Sequence, residues 1–183
     1  MNGRAVFLDR DGVINRAQVR NGRPYPPADL SALEILPDVP EALERLRAAG
    51  FRLIVVTNQP DVARGTQTRA EVEAINAALK ARLPLDEIRV CYHDDKDKCR
   101  CRKPEAGLLS EAARDAHLDL GACFMVGDRW RDIEAGRRAG CTTIFIDHGY
   151  AERRPLDFDH RVKSLSEASE WICSTVHSTQ EGS

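Results

Sequence analysis

Five short apolar runs that each close on a polar residue set what this chain can fold into. Ala5–Leu8 runs into Asp9, Phe51–Thr57 closes on Thr57, Ile88–Tyr92 runs into His93, Cys123–Val126 into Gly127-Asp128, and Thr142–Ile146 into Asp147. The runs are continuous rather than alternating, as expected of strands buried on both faces. Helical patterns lie between them. Val39–Ala49 places Val39, Ala42, Leu43 and Leu46 on one face and closes at Gly50; Thr68 opens a helix to about Arg82 with Glu71 completing a capping box. Glu105–His117 follows Pro104, Arg131–Ala139 closes at Gly140, and a last helix begins at Ser166 and includes Trp171. This alternation predicts an α/β, Rossmann-like three-layer sandwich around a central parallel sheet. Ligands of such sheets bind beyond the carboxyl ends of the strands, so Asp9, Thr57, His93, Asp128 and Asp147 are expected along one rim.

The 183 residues suffice for a core without a disulfide framework, and residues 1–175 read as one domain, with 176–183 as a fraying tail. A net charge of −2 argues against a nucleic-acid partner. No apolar run approaches a signal-peptide core or a membrane span, so the expected location is the cytoplasm, and no apolar face is left over to demand more than a monomer.

Asp9-Arg10-Asp11-Gly12 places two carboxylates two residues apart at a strand end, where Gly12 permits a sharp turn. One carboxylate can attack phosphorus and the other can donate and accept a proton. Two anions repel a phosphate, so a hard cation with oxygen ligands, Mg2+, is expected, with Asp128 as a further ligand. Thr57 and Lys103 can hold the transferring oxygens. Each residue alone has a plain reading as a cap, a turn or a surface charge; all four in this order do not.

Phe7-Leu8-Asp9-Arg10-Asp11-Gly12, Val56-Thr57-Asn58-Gln59, Cys101-Arg102-Lys103-Pro104 and Val126-Gly127-Asp128-Arg129, followed by Asp132, resemble the four motifs of the haloacid dehalogenase (HAD) superfamily. The resemblance spans about Ala5 to Trp171. It implies Asp9 as nucleophile, Asp11 as general acid/base, and Thr57 and Lys103 as phosphate ligands. It further implies Mg2+ on Asp9, Asp128 and the main chain of Asp11, with Asp132 supporting the metal or Lys103 from behind. A carboxylate at position 11 favours phosphatases over dehalogenases in this superfamily.

Cys91, His93, Cys99 and Cys101 supply three thiolates and an imidazole within eleven residues, the inventory of a closed structural Zn2+ site. The polar loop Asp94–Lys98 has no apolar side chain to bury and suits pinning by a metal. Cys123, Cys141 and Cys173 read as core fillers. The cluster is similar to that of the zinc-loop HAD phosphatases without a large cap domain, and the short insertions agree. That branch includes phosphatases of heptose bisphosphates and of histidinol phosphate.

The resemblance therefore implies a phosphomonoesterase for a small phosphorylated sugar. The leading expectation is removal of the 7-phosphate of D-glycero-D-manno-heptose 1,7-bisphosphate on the route to nucleotide-activated heptose. Arg102 and Arg129 adjoin motif residues and suit the phosphate that is not cleaved. Asn58 and Gln59, and from the first loop Arg20, Arg23 and Tyr25, complete the expected substrate contacts. Histidinol phosphate would instead call for acidic groups, for which Asp61, Asp94 and Asp95 are candidates. A zinc-stabilised binding module is the non-enzymatic alternative; it leaves Asp9, Asp11, Lys103 and Asp128 without a role.

Overall fold

The structure, a computed structural model, describes residues 3–180. Its six-stranded sheet is built from β1 (Ala5–Leu8), β4 (Arg52–Asn58), β5 (Glu87–Cys91), β6 (Phe124–Gly127), β7 (Thr142–Ile146) and β8 (His160–Val162). The order is β5-β4-β1-β6-β7-β8, with every pairing parallel. The chain leaves β1 toward β4 and β5, then returns to the other side of β1 for β6. That reversal makes the carboxyl end of β1 the topological switch point where a ligand crevice opens.

Alternation along β1 divides the core. Val6 and Leu8 face a layer of α1 (Val39–Ala48), α3 (Arg69–Arg82) and α6 (Leu165–Gln180); Ala5 and Phe7 face α4 (Gly107–Ala116) and α5 (Trp130–Ala139). All four strand residues are fully buried, as both-face burial requires. The expected three-layer architecture is present, and no separate cap domain interrupts it. The segment between β1 and α1 carries the hairpin β2 (Gln18–Arg20) and β3 (Arg23–Tyr25) and a single 3-10 turn, Leu30–Ala32; that between β4 and α3 carries only the single turn α2 (Asp61–Arg64).

The sequence reading left these pieces as loops. The hairpin did carry a signal: Asn21 and Gly22 both have positive φ (51° and 73°), as a two-residue type I′ turn requires. Strand β8 is three residues long and two of them are polar, too short for periodicity to register. Helix α4 begins at Gly107 rather than Glu105 because residues 102–107 first form a tight turn. Glu105 N donates to Arg102 O and Gly107 N to Arg100 O, and a Cβ on Gly107 would lie 2.2 Å from that carbonyl.

Of the segment expected to fray from residue 176, α6 includes residues to Gln180, and 181–183 lie outside the described residues. The helix is held along its apolar side. Ala168 and Ile172 are fully buried, Cys173 and Val176 pack against the core, and Trp171 meets Phe124 edge-on at 6.3 Å and stacks on His160 at 4.4 Å. Ser174 and Thr175 hydroxyls both donate to the Trp171 carbonyl. Ile172→Ala should therefore lower stability by about 2–5 kcal/mol in urea unfolding; a loss below about 1 kcal/mol would contradict a docked α6.

Candidate active site

Asp9 leaves the end of β1 with its N–H donating to Val126 O, which fixes its main chain against β6. Lys103, just ahead of α4, reaches it from the opposite side. Its ammonium donates to Asp9 Oδ1 at 2.7 Å and Val56 O at 2.7 Å, and pairs with Asp132 Oδ1 at 2.6 Å. Lys103 is 1 % exposed. Burial alone disfavours its charge, but Asp132 and Asp9 outweigh that and hold its pKa above the ordinary lysine value. Burial, Asp132 and Asp11 push Asp9 up to about 6 against the opposing pull of Lys103.

Asp128 arrives from the end of β6. The carboxylate oxygens of Asp9, Asp128 and Asp132 lie within 4.8 Å of one another. Both Asp128 oxygens are buried, and neither meets a protein donor in good hydrogen-bond geometry. Burial, Asp9 and Asp132 raise its pKa, which the neighbouring Tyr150 hydroxyl and Arg129 only partly offset. A buried, unpartnered carboxylate beside two more is costly without a cation, so this donor set fits a hard divalent metal such as Mg2+. Gly12 makes room for it: at φ +91° its missing Cβ would sit 1.9 Å from Asp128 Oδ2.

Asp11 points away from the three aspartates. Its carboxylate accepts from Arg10 Nε and Nη2, Asn15 Nδ2 and Gln59 Nε2. Arg10 is completely buried, and its third bond goes to Asn76 Oδ1 of α3 at 2.9 Å. Gln59, expected to touch substrate, is fully buried and spans Asp11 Oδ2 (2.8 Å) and Thr57 Oγ1 (2.9 Å). Its amide thus ties the Asp11 carboxylate to the Thr57 hydroxyl. Asn58 brackets the Lys103 peptide unit, accepting from its N–H and donating to its carbonyl, both at 3.0 Å. Asn58 also lines the cavity over Asp9.

A cavity of ≈ 270 Å³ opens over Asp9, Asp11, Thr57 and Lys103. Arg23 and Tyr25 of the hairpin line it, as do Arg102 and Arg129. Arg20 does not: its guanidinium donates to Gln18 and lies over the Tyr25 ring, on the hairpin itself. Two further arginines line it: Arg64, in the loop after Thr57, and Arg131, whose place in the wall no sequence spacing signals.

At the end of β5 the four donors of Cys91, His93, Cys99 and Cys101 converge. Cys91 Sγ lies 3.6 Å from both His93 Nδ1 and Cys99 Sγ and 3.0 Å from Cys101 Sγ; His93 Nδ1 lies 3.3 Å from Cys101 Sγ. A tetrahedral zinc with bonds near 2.3 Å needs ligand edges of about 3.7 Å, so the set fits one ion after small relaxation. Cys91, Cys99 and Cys101 form no disulfide.

Comparison with known proteins places this geometry. The sequence profile described as HAD-hydrolase-like matches residues 100–168. The D-glycero-beta-D-manno-heptose-1,7-bisphosphate 7-phosphatase of Escherichia coli (strain K12) is 36% identical over 185 residues, covering 94% of this chain and 89% of the relative. A probable D-glycero-D-manno-heptose-1,7-bisphosphate 7-phosphatase of Thermoplasma volcanium is 37% identical over 133 residues, covering 69% of this chain and 86% of the relative. The chain belongs to the heptose-bisphosphate phosphatase family of the HAD superfamily. Among solved structures, the D,D-heptose 1,7-bisphosphate phosphatase of B. bronchiseptica, complexed with magnesium and phosphate, superposes with a TM-score of 0.75 at 28% identity, covering 94% of this chain and 99% of that one.

As a phosphoric monoester hydrolase of this family, the protein gathers Asp9, Thr57, Lys103, Asp128 and Asp132 at one strand rim. A carboxylate oxygen of Asp132 joins those of Asp9 and Asp128, beside the main chain of Asp11 and Gly12. Asp132 is already committed, to Lys103 through Oδ1 and to the Arg129 N–H at 3.0 Å through Oδ2, which suits a supporting role. Among the described residues no helix is long and apolar enough to cross a membrane.

Removing one donor from the sulfur-imidazole cluster tests it directly. Cys99→Ser should lower bound zinc well below one per chain and reduce the melting temperature; full zinc occupancy in the variant would exclude Cys99 as a ligand.

Proposed function

We propose that this phosphatase removes the 7-phosphate of D-glycero-D-manno-heptose 1,7-bisphosphate through an aspartyl phosphate on Asp9, with Mg2+ at Asp9 and Asp128 and a structural Zn2+ on Cys91, His93, Cys99 and Cys101. The observation that carries the reading is the excess of arginine around the cavity of a chain 36% identical to phosphatases of that bisphosphate. A mono-ester would need only the Thr57 and Lys103 cradle; a second phosphate needs further cations.

The residues divide the work in two half-reactions. An Asp9 oxygen attacks phosphorus, the bond from phosphorus to the sugar oxygen breaks, and Asp11 gives its proton to that oxygen. Water then attacks the aspartyl phosphate, Asp11 takes a proton from it, and Asp9 leaves as the free carboxylate with inorganic phosphate. Lys103 and Thr57 hold the equatorial oxygens, and Gln59 keeps Asp11 and Thr57 in register. Mg2+ supplies the positive charge that lets a carboxylate approach a phosphate dianion. Zinc, two residues from Lys103 through Cys101, makes the loop that carries this lysine rigid.

Histidinol phosphate is disfavoured by the fate of the acidic candidates. Asp94 is held by Arg64 at 2.7 and 3.1 Å, which lowers its pKa to about 2, and Asp95 by Arg102 and Arg131. Asp61 also faces Arg64. Asp94 and Asp95 are thereby engaged by arginines of the protein itself, which compete with a substrate amine for them.

Phosphate release from a panel containing both anomers of heptose 1,7-bisphosphate, histidinol phosphate and fructose 1,6-bisphosphate tests the reading. A heptose bisphosphate should lead in kcat/KM; histidinol phosphate in that place would overturn the substrate. Asp9→Asn should retain the fold by circular dichroism and lose turnover by on the order of 10⁴-fold or more, while Asp11→Asn should lose roughly 10²–10⁴-fold. Wild-type turnover by Asp9→Asn would remove the mechanism.

A further inference from the structure

Five guanidiniums border the active-site cavity, from Arg23, Arg64, Arg102, Arg129 and Arg131, and their internal partners separate them. Arg129 gives Nε and Nη2 to the two oxygens of Glu152 at 2.8 and 2.6 Å, a complete fork-to-carboxylate pair with no charge left over. Arg64 faces two carboxylates, Asp94 and Asp61. The third set is built differently. Arg102 Nε and Arg131 Nη1 donate to one oxygen of Asp95, at 2.8 and 3.0 Å, and Arg131 Nη2 to the other at 3.2 Å. Two cations share one anion, so this triad alone keeps a net positive charge among the paired arginines of the wall.

The triad is also well supported. Arg102 Nη1 lies 3.4 Å from the His93 carbonyl, inside the zinc loop, and Arg131 Nη1 3.4 Å from the carbonyl of Lys103. The two guanidiniums therefore hang from the same backbone that carries the phosphate-binding lysine. Asp95 lies on the outer side, with its side chain 55% exposed against 10% for Arg102 and 24% for Arg131. A second depression behind the zinc loop shares Asp95, Arg102 and Arg131 with the main cavity, so the triad stands as a wall that a ligand can reach.

We propose that Arg131, together with Arg102, binds the phosphate that is not cleaved, and that Asp95 positions the two guanidiniums side by side for it. The inference rests on the bisphosphate reading above. It assigns recognition to the arginine of the α5 first turn that shares an anion, rather than to Arg129, whose fork is filled by Glu152. Arg131 is thus a specificity-determining residue and Asp95 a positioning one.

Steady-state kinetics with D-glycero-D-manno-heptose 1,7-bisphosphate and with the same sugar carrying only the 7-phosphate tests this. In Arg131→Gln, KM for the bisphosphate should rise on the order of 10- to 100-fold, as for loss of a charge-assisted pair. Its kcat should change little, and kcat/KM for the 7-monophosphate should stay within about twofold. Arg131→Lys should recover part of the affinity, since it keeps the charge and loses the fork. Equal losses on both substrates would mean that Arg131 only steadies the Lys103 loop, and an unchanged bisphosphate KM would return the role to another arginine; either result overturns the proposal. Wild-type enzyme that hydrolyses the monophosphate as well as the bisphosphate would overturn the bisphosphate reading and this assignment with it. Zinc content and melting temperature of both variants, expected at wild-type values, establish that they are folded.

Discussion

A lysine ammonium buried between two carboxylates and a carbonyl governs the rest of this site. Lys103 is cut off from water, and its charge is tolerable only because Asp9, Asp132 and Val56 O surround it. Those partners come from β1, the first turn of α5 and β4, so the charge ties three elements together across the switch point of the sheet. The same cluster leaves an excess of negative charge, since Asp128 adds a third carboxylate with only the Tyr150 hydroxyl beside it and no cation in contact. The deficit of cation is where a divalent metal and then a phosphate gain their binding energy. Catalytic order and electrostatic demand are one feature here.

Around that cluster the protein spends buried amides and guanidiniums on orientation. Arg10 and Asn76 tie the Asp11 turn to α3, Gln59 ties Asp11 to Thr57, and Asn58 clasps the peptide of Lys103. None of these groups needs to touch substrate for its loss to be felt, because a displacement of about 1 Å at a reacting group can cost on the order of 10²-fold in rate. The loop of the Cys91, His93, Cys99 and Cys101 cluster extends the logic outward. It has no apolar side chain between His93 and Cys99, and its Asp94 and Asp95 hold Arg64, Arg102 and Arg131 against the cavity.

The absence of a cap domain puts this burden on short loops. The β2–β3 hairpin supplies Arg23 and Tyr25 to the wall, and the loop after β7 supplies Tyr150 beside Asp128 and His148, whose Nε2 meets the Gly12 carbonyl at 2.7 Å. These contacts close one side of the aspartate cluster.

The sequence by itself determined the layered α/β architecture, the rim of the sheet that carries the motif residues, the four motif segments and the Cys-His cluster. Those properties are local: strand burial appears as unbroken apolar runs, caps as residue spacing, and the cluster as four donors within eleven residues. Only the tertiary structure decided what faces what. It gave Gln59 hydrogen bonds to Asp11 and Thr57 and Asn58 hydrogen bonds to the Lys103 peptide, kept Arg20 on the hairpin, brought Asp132 beside Asp128, and brought Arg131 into the wall. It also carried α6 on to Gln180 through packing against Phe124, whose position no periodicity within the tail encodes. The physical reason is common to all of these. A polar side chain spends its hydrogen bonds on whichever partners the fold brings within reach, and those partners lie as many as 136 residues away along the chain, as between His148 and Gly12.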